Sequence, residues 1–361
     1  FACKNLENLS EFHFPTTLTT IGKEAFYGCI ALHEVDLSGT SFSSRSNSTF
    51  SQCTSLVRMI LPSTATSVPA TEGCLNLSEI IVSADNPHLE SIDNIMVLEK
   101  GESGKELIFV VKALPVVDGR ISIIIPSDVT SIGTGAFNGA MIDAVYVAEG
   151  NETYVSTEDG SALIADDVVV YIASGVYDCT LPGSVKEVTH YAFQYATNLR
   201  NLTWGDENTT GDFTFSASTS SVETITLTTT GKVTLGKGSL GFTTDLLSNI
   251  TVSCGVFETN SSREISSSVD LSIEIEADSI TGSGFITENA TSVRISGGVM
   301  GSQDLDVGSL FADGTYEGLE IIIDGKAADV VQTMSGHRLV VQDPDSETIQ
   351  VQVERISKSG E

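Results

Sequence analysis

Phe14-Pro-Thr-Thr-Leu-Thr-Thr-Ile-Gly-Lys-Glu-Ala-Phe26 returns twice farther along the chain. It reads Ile125-Pro-Ser-Asp-Val-Thr-Ser-Ile-Gly-Thr-Gly-Ala-Phe137 in one place and Leu181-Pro-Gly-Ser-Val-Lys-Glu-Val-Thr-His-Tyr-Ala-Phe193 in the other. Leu61-Pro-Ser-Thr-Ala-Thr-Ser-Val68 is a weaker copy, with Gly73 at the place of the Phe. Pro closes one extended segment because it cannot donate to a ladder. The Val-Thr-Ser-Ile segment then makes a second extended stretch, Gly turns the chain, and Ala-Phe plugs a core.

A shorter phrase frames this one. Cys3-Lys-Asn-Leu6, Cys29-Ile-Ala-Leu32, Cys53-Thr-Ser-Leu56 and Cys74-Leu-Asn-Leu77 each precede an alternating apolar pair. The pairs run Phe12/Phe14, Val35/Leu37, Met59/Leu61, Ile80/Val82, Ile123/Ile125, Val145/Val147, Cys179/Leu181 and Leu202/Trp204. They continue as Ile225/Leu227, Ile250/Val252, Ile273/Ile275, Val293/Ile295 and Ile321/Ile323. Alternation over so short a run predicts a half-buried strand. Ten of the twelve intervals between pairs lie between 20 and 28 residues, which is a repeat period. One such unit cannot bury its apolar face alone, whereas stacked units share a continuous core. The expected fold is a predominantly β solenoid of right-handed coils.

The two long intervals, 43 and 34 residues, hold insertions at about 83–120 and 148–177. Each reads as strand, polar turn, strand: a β-hairpin leaving a coil boundary. Three parts follow: regular repeats over 1–204, divergent repeats of the same solenoid over 205–327, and a C-terminal part over 328–361. In the last part Arg338–Gln342 and Thr348–Glu354 are expected to form a capping hairpin. Phe1-Ala-Cys3 reads as the end of an Ala-Phe-Gly-Cys phrase, so more solenoid is expected ahead of it.

Composition bounds the function. The 361 residues carry 18 Lys and Arg against 48 Asp and Glu, a net charge of −30, which opposes nucleic acid and anionic lipid alike. No apolar run approaches the roughly 18–20 residues of a membrane span. Six Cys are too few for a disulfide-built scaffold. Cys3, Cys29, Cys53 and Cys74 are expected as buried free thiols sharing one slot of the coil, a bridge between adjacent coils being the alternative. The five His, at 13, 33, 88, 190 and 337, show no metal-helix spacing, and no calcium-loop repeat occurs. No metal, cofactor or catalytic residue is therefore assigned. Asp166-Asp167 could serve a carbohydrate-cleaving β-solenoid, but a hairpin turn favours Asp in any case.

Six of the eight Tyr, at 146, 154, 171, 177, 191 and 195, cluster near the only Trp, at 204, either as packing or as a contact surface. Nine glycosylation sequons occur, at Asn8, Asn47, Asn76, Asn151, Asn201, Asn208, Asn249, Asn260 and Asn289. The middle residue of each strand points away from the core. Down the array these residues include Ile60, Ile81, Ile124 and Tyr146, four large groups expected at successive strand spacing, followed by Thr180, Thr203, Thr226 and Thr251. Ile60, Ile81, Ile124 and Tyr146 are the candidate partner-binding stripe, unless an insertion folds back and covers it.

The phrases Leu18-Thr-Thr-Ile-Gly-Lys-Glu-Ala-Phe-Tyr-Gly-Cys29 and Val129-Thr-Ser-Ile-Gly-Thr-Gly-Ala-Phe-Asn-Gly139, with the two insertions, resemble the BspA-like class of leucine-rich-repeat proteins. That resemblance implies a curved solenoid, a cell-surface or secreted location in a bacterium or protist, and binding to host or microbial surface proteins without catalysis. The expected function is thus an extracellular adhesion module, monomeric, whose partner is a protein or a surface glycan. The alternatives are a structural spacer, which has no need of an exposed apolar stripe, and a carbohydrate-active enzyme, which needs converging carboxylates in a cleft.

Overall fold

The computed structural model describes residues 2–43, 48–216, 221–235, 246–259, 269–282, 290–296, 320–333 and 336–341. They form two compact units, Phe1–Val155 and Ser156–Glu361, the division falling inside the second insertion. Apart from one 3-10 turn at His190–Phe193, the regular elements among these residues are all β.

In the first unit the alternating pairs build a parallel ladder. Glu34–Asp36, Arg58–Leu61 and Glu79–Val82 pair with Val35 opposite Met59 and Met59 opposite Ile80. A second parallel pair joins Ser122–Ile125 to Ala144–Val147. Val35, Met59, Leu61, Ile80, Ile123, Ile125 and Val145 are buried, as period-2 alternation requires. Phe12 and Phe14 differ. Their segment is not a strand and both are half-buried. Their rings pack instead on Phe26, at 4.9 and 5.4 Å, and Phe26 stacks on Phe50 at 5.3 Å.

Each Cys phrase is a tight turn, with the Leu amide donating to the Cys carbonyl in all four copies (Leu6, Leu32, Leu56, Leu77). The thiols of Cys29, Cys53 and Cys74 donate 3.1 Å bonds to the carbonyls of Cys3, Phe26 and Phe50, one coil earlier. All six cysteines are free thiols, and five are buried; Cys3 is half-buried.

The first insertion has three strands rather than two. Leu89–Ile92, Met96–Lys100 and Lys105–Val110 form an antiparallel meander, and the third strand lies parallel to Val129–Ile132. The extra turn falls at Asp93-Asn94, both with φ above +50°, a backbone that Asp and Asn tolerate. The polar turn expected between the strands of this insertion is confined to 101–104, and the charged residues on either side of it, Glu99, Lys100, Lys105 and Glu106, are strand.

In the second unit, Ala162–Ala165 and Val168–Ile172 make a two-stranded hairpin turned at Asp166-Asp167, and the second strand lies parallel to Glu187–Thr189. Two ladders then run side by side. One stacks Asp178–Leu181, Asn201–Trp204 and Thr224–Thr228; the other stacks Glu187–Thr189, Phe213–Ser216 and Lys232–Leu235. Both end on one strand, Asn249–Thr259, which is followed by Leu271–Gly282.

The corner between the two ladders survives as a slip in alternation. Burial runs Ile250, Val252, Cys254 and then Phe257, with the same slip from Ala277 to Ile280 on the next strand. Gly255 sits at this corner above Gly231, which its amide contacts at 2.9 Å. A Cβ on Gly231 would lie 2.6 Å from the Gly211 carbonyl, so close backbone stacking demands glycine here.

Beyond Ala290–Ser296 and Glu320–Ile323, Asp324-Gly325 turns the chain into Lys326–Thr333, which pairs antiparallel with Gly336–Val341. Strand 336–341 thus takes its described partner from the preceding residues. The expected partner, 348–354, lies outside the described residues.

Candidate functional site

The outward residues of the first unit fall into two pairs. Ile60 lies opposite Ile81, and Ile124 opposite Tyr146, on separate sheets. The expected run of four consecutive rungs is therefore broken between Ile81 and Ile124. Residues of the first insertion run beside Glu79–Val82 at this point: the Ile80 amide donates to the Asn94 carbonyl, and the Lys112 and Ala113 amides donate to the Leu77 carbonyl. None of the four is buried. Ile60, Ile81 and Tyr146 are half-buried, and Ile124 is 57% exposed.

The two pairs have different borders. Next to Ile60 and Ile81, Arg58 bridges Glu34 and Glu79 on the neighbouring rungs, at 3.4 and 2.8 Å. The Glu79 carboxylate in particular raises the Arg58 pKa, although these exposed pairs contribute little stability. Beside Ile124 and Tyr146 stands a tight turn, Val117–Arg120, closed by reciprocal backbone bonds and by left-handed Asp118 and Gly119. Arg120 donates to the Tyr146 hydroxyl at 3.4 Å, and the Ile121 amide donates to Asp143 at 2.8 Å, which fixes the exit of the turn. Val116 and Val117 are 64% and 59% exposed. An exposed aliphatic, a Tyr and an Arg held together have the composition of an interface centre. Sequence reasoning names Ile124 and Tyr146 as candidates but not their neighbours Arg120, Val116 and Val117, whose signal was the apolar pair ahead of Asp-Gly.

The second unit presents a polar face. Thr180, Thr203, Thr226 and Thr251 stand in register on successive strands, followed by Glu274 and Arg294. The aromatic cluster divides between core and surface. Tyr171 is buried and Trp204 stacks on Phe213 at 4.2 Å, with its indole donating to the Val185 carbonyl, whereas Tyr177 and Tyr191 are exposed. Asp166 and Asp167 occupy the hairpin turn, and Asp167 pairs with Lys186. Among the described residues, no group of three His, Cys, Asp or Glu could hold a metal ion. No helix among them is long and apolar enough to cross a membrane. Of the sequons, Asn47, Asn260 and Asn289 lie outside the described residues, and the Asn151 amide is occupied by two backbone carbonyls.

A cleft of about 380 Å³ also lies within the first unit. Val68, Pro69, Ile108 and Phe109 line it together with Glu72, Glu99, Glu106 and Lys112. Lys112 donates to the Thr71 carbonyl, and burial pushes its pKa below the usual lysine range.

Residues 1–94 and 170–272 match six copies of the BspA type leucine rich repeat region, more than half of the chain, and the protein belongs to that family. Among solved structures it is similar to the pneumococcal vaccine antigen PcpA, at 16% identity and a TM-score of 0.38, covering 86% of this chain and 72% of that one. It is also similar to a leucine-rich repeat protein from Eubacterium ventriosum, at 15% identity and a TM-score of 0.36, covering 89% and 94%. A leucine rich cell surface protein from Faecalibacterium prausnitzii matches at 19% identity and a TM-score of 0.28, covering 51% and 62%. No curated protein matches the chain.

Proposed function

We propose that this protein is a non-catalytic extracellular binding module. It would act at a cell surface and adhere to host or microbial surface proteins. The observation that carries this reading is the open front of the 122–147 sheet, where Ile124 is 57% exposed beside Tyr146 and Arg120. A spacer gains nothing from such a group, whereas burying it in a complex contributes roughly 1–2 kcal/mol. Membership of the BspA type repeat family supports the same reading. A pull-down against host matrix and mucosal proteins, with Ile124→Asp as control, tests it. Capture by wild type but not by the variant is expected, and equal capture or none rejects the reading.

The enzyme alternative asks for converging carboxylates in a cleft, and the cleft is lined by Glu72, Glu99 and Glu106. A glycosidase also needs a carboxylic acid kept protonated by an apolar pocket. Glu72 and Glu99 are exposed and Glu106 is half-buried, which favours binding over hydrolysis.

A further inference from the structure

Glu99 and Glu106 stand directly opposite one another on the antiparallel strands 96–100 and 105–110. Like charges in that relation oppose strand pairing. The neighbouring carboxylate Glu90 is answered by Lys105, at 2.5 Å, and by Lys100 at 4.0 Å. Glu99 and Glu106 make no ion pair among the described residues, although both lie within a few residues of these lysines. Both instead line the 380 Å³ cleft, together with Glu72, whose carboxylate accepts from the Ser51 hydroxyl. The cleft's one lysine, Lys112, has its ammonium turned onto the Thr71 carbonyl. Three carboxylates therefore share this space with one cation. Val68, Pro69, Ile108 and Phe109 line the same cleft among more numerous polar residues.

We propose that this cleft is a second binding site, distinct from the Ile124 face, which takes an arginine- or lysine-bearing segment of a partner protein. An Arg or Lys side chain has the shape this cleft requires, because its aliphatic stem can lie on Ile108, Phe109 and Pro69 while its charged head meets Glu99 and Glu106. A carboxylate accepts a guanidinium in a two-pronged fashion, which adds direction to the attraction. The occupied cleft relieves the repulsion between the opposed glutamates, so the unbound protein carries a local cost that the partner removes. Sites of this kind commonly trade stability for binding.

The probe is a dye-labelled hexapeptide of alternating arginine and leucine, titrated into the whole chain by fluorescence anisotropy at low and at physiological salt. Saturable binding that weakens with salt is expected. Hydrogen-exchange protection by the peptide should map to 66–72 and 105–112. Glu99→Gln with Glu106→Gln should weaken binding about tenfold, as loss of a charge-assisted contact does. The same double variant should unfold at an equal or higher temperature than wild type, which separates lost recognition from lost folding. Glu274→Gln with Glu276→Gln, on the second unit, controls for the general acidity of the chain and should leave binding unchanged. Absence of saturable binding, protection elsewhere, or an equal loss in both double variants overturns the proposal. None of these outcomes bears on the Ile124 face, which is tested by capture of surface proteins.

Discussion

Asn86 and Asn151 occupy the same place in two different coils and make the same four hydrogen bonds. The Asn86 amide donates to the carbonyls of Pro62 and Ala65, both at 2.9 Å, and its oxygen accepts from the amides of His88 and Leu89. The Asn151 amide donates to Pro126 and Val129, and its oxygen accepts from Thr153 and Tyr154. Each side chain thus ties the start of an insertion to the Pro turn of the preceding coil. An Asn has both donors and acceptors, so it alone satisfies all four backbone groups at once. Replacing buried Asn86 with Ala leaves them unpaired, and a loss of about 3 kcal/mol is expected by denaturant titration. Asn151→Ala, half-buried, should lose less, and Asn86→Asp should be nearly as harmful because its carboxylate would face two carbonyls.

The buried thiols predict an alkaline weakness. Burial raises the Cys179 pKa to about 12, with the Ser161 hydroxyl opposing the shift. An unfolded thiol ionises near pH 8.5. Between these values the unfolded chain binds fewer protons than the folded one, so stability falls as pH rises. The contribution is complete below about pH 8.5 and is lost progressively towards 12, about 2 kcal/mol by pH 10. Unfolding midpoints at pH 8 and pH 10 should separate less in Cys179→Ala than in wild type. Equal separation would show that the thiol stays protonated, or ionises, alike in both states. A thiol reagent at pH 8 should also modify half-buried Cys3 well before Cys29, Cys53 and Cys74, because thiolate fraction and access govern the rate.

The corner of the second unit predicts an intolerance. A Cβ on Gly255 would lie 2.4 Å from the Thr230 carbonyl oxygen, a backbone atom that cannot turn aside. Gly255→Ala should therefore cost about 2 kcal/mol or more and lower the thermal midpoint. Gly150→Ala is the comparison: its Cβ meets nothing within 4 Å, so it reports only the strain of a φ of +87°. Equal losses would show that the 255 corner relaxes.

The solenoid was legible because each coil repeats one alternation, and the second members Leu61, Val82, Ile125, Leu181, Trp204, Leu227, Val252, Ile275 and Ile323 are all buried. Phe12 and Phe14 were misplaced as a strand because alternation cannot tell a ladder from an aromatic cluster around Phe26. The extra turn at Asp93-Asn94 was readable from composition but lay hidden inside an apolar run. Asn86 and Asn151 had a signal that went unread, standing four residues after Val82 and Val147. The break between Ile81 and Ile124 had none. It follows from where the inserted strands run, and period alone does not record that. The Arg120–Tyr146 contact joins residues 26 apart, across two coils, and depends on register.

Ile123 and Ile124 are adjacent on one strand and face opposite ways, so together they separate folding from recognition. Ile123 is 2% exposed and pairs with Val145 in the core, whereas Ile124 is 57% exposed and pairs with Tyr146 outside it. A carboxylate at 123 would be buried without a partner, and Ile123→Asp should unfold the protein or cost upwards of about 4 kcal/mol. A carboxylate at 124 stays in water, and Ile124→Asp should change stability by no more than about 0.5 kcal/mol. Its effect should appear only in adhesion, where a charge entering an apolar contact weakens binding about tenfold or more. Arg120→Ala should give a smaller loss of the same kind, because it removes the guanidinium that donates to the Tyr146 hydroxyl. Ile81→Asp is the internal comparison, since Ile81 lies on the other sheet, beside the Arg58 ion pairs. A loss for Ile124 without one for Ile81 confines the contact to the 122–147 sheet; equal losses restore a stripe that spans both; and unchanged adhesion in all three rejects the face as a site.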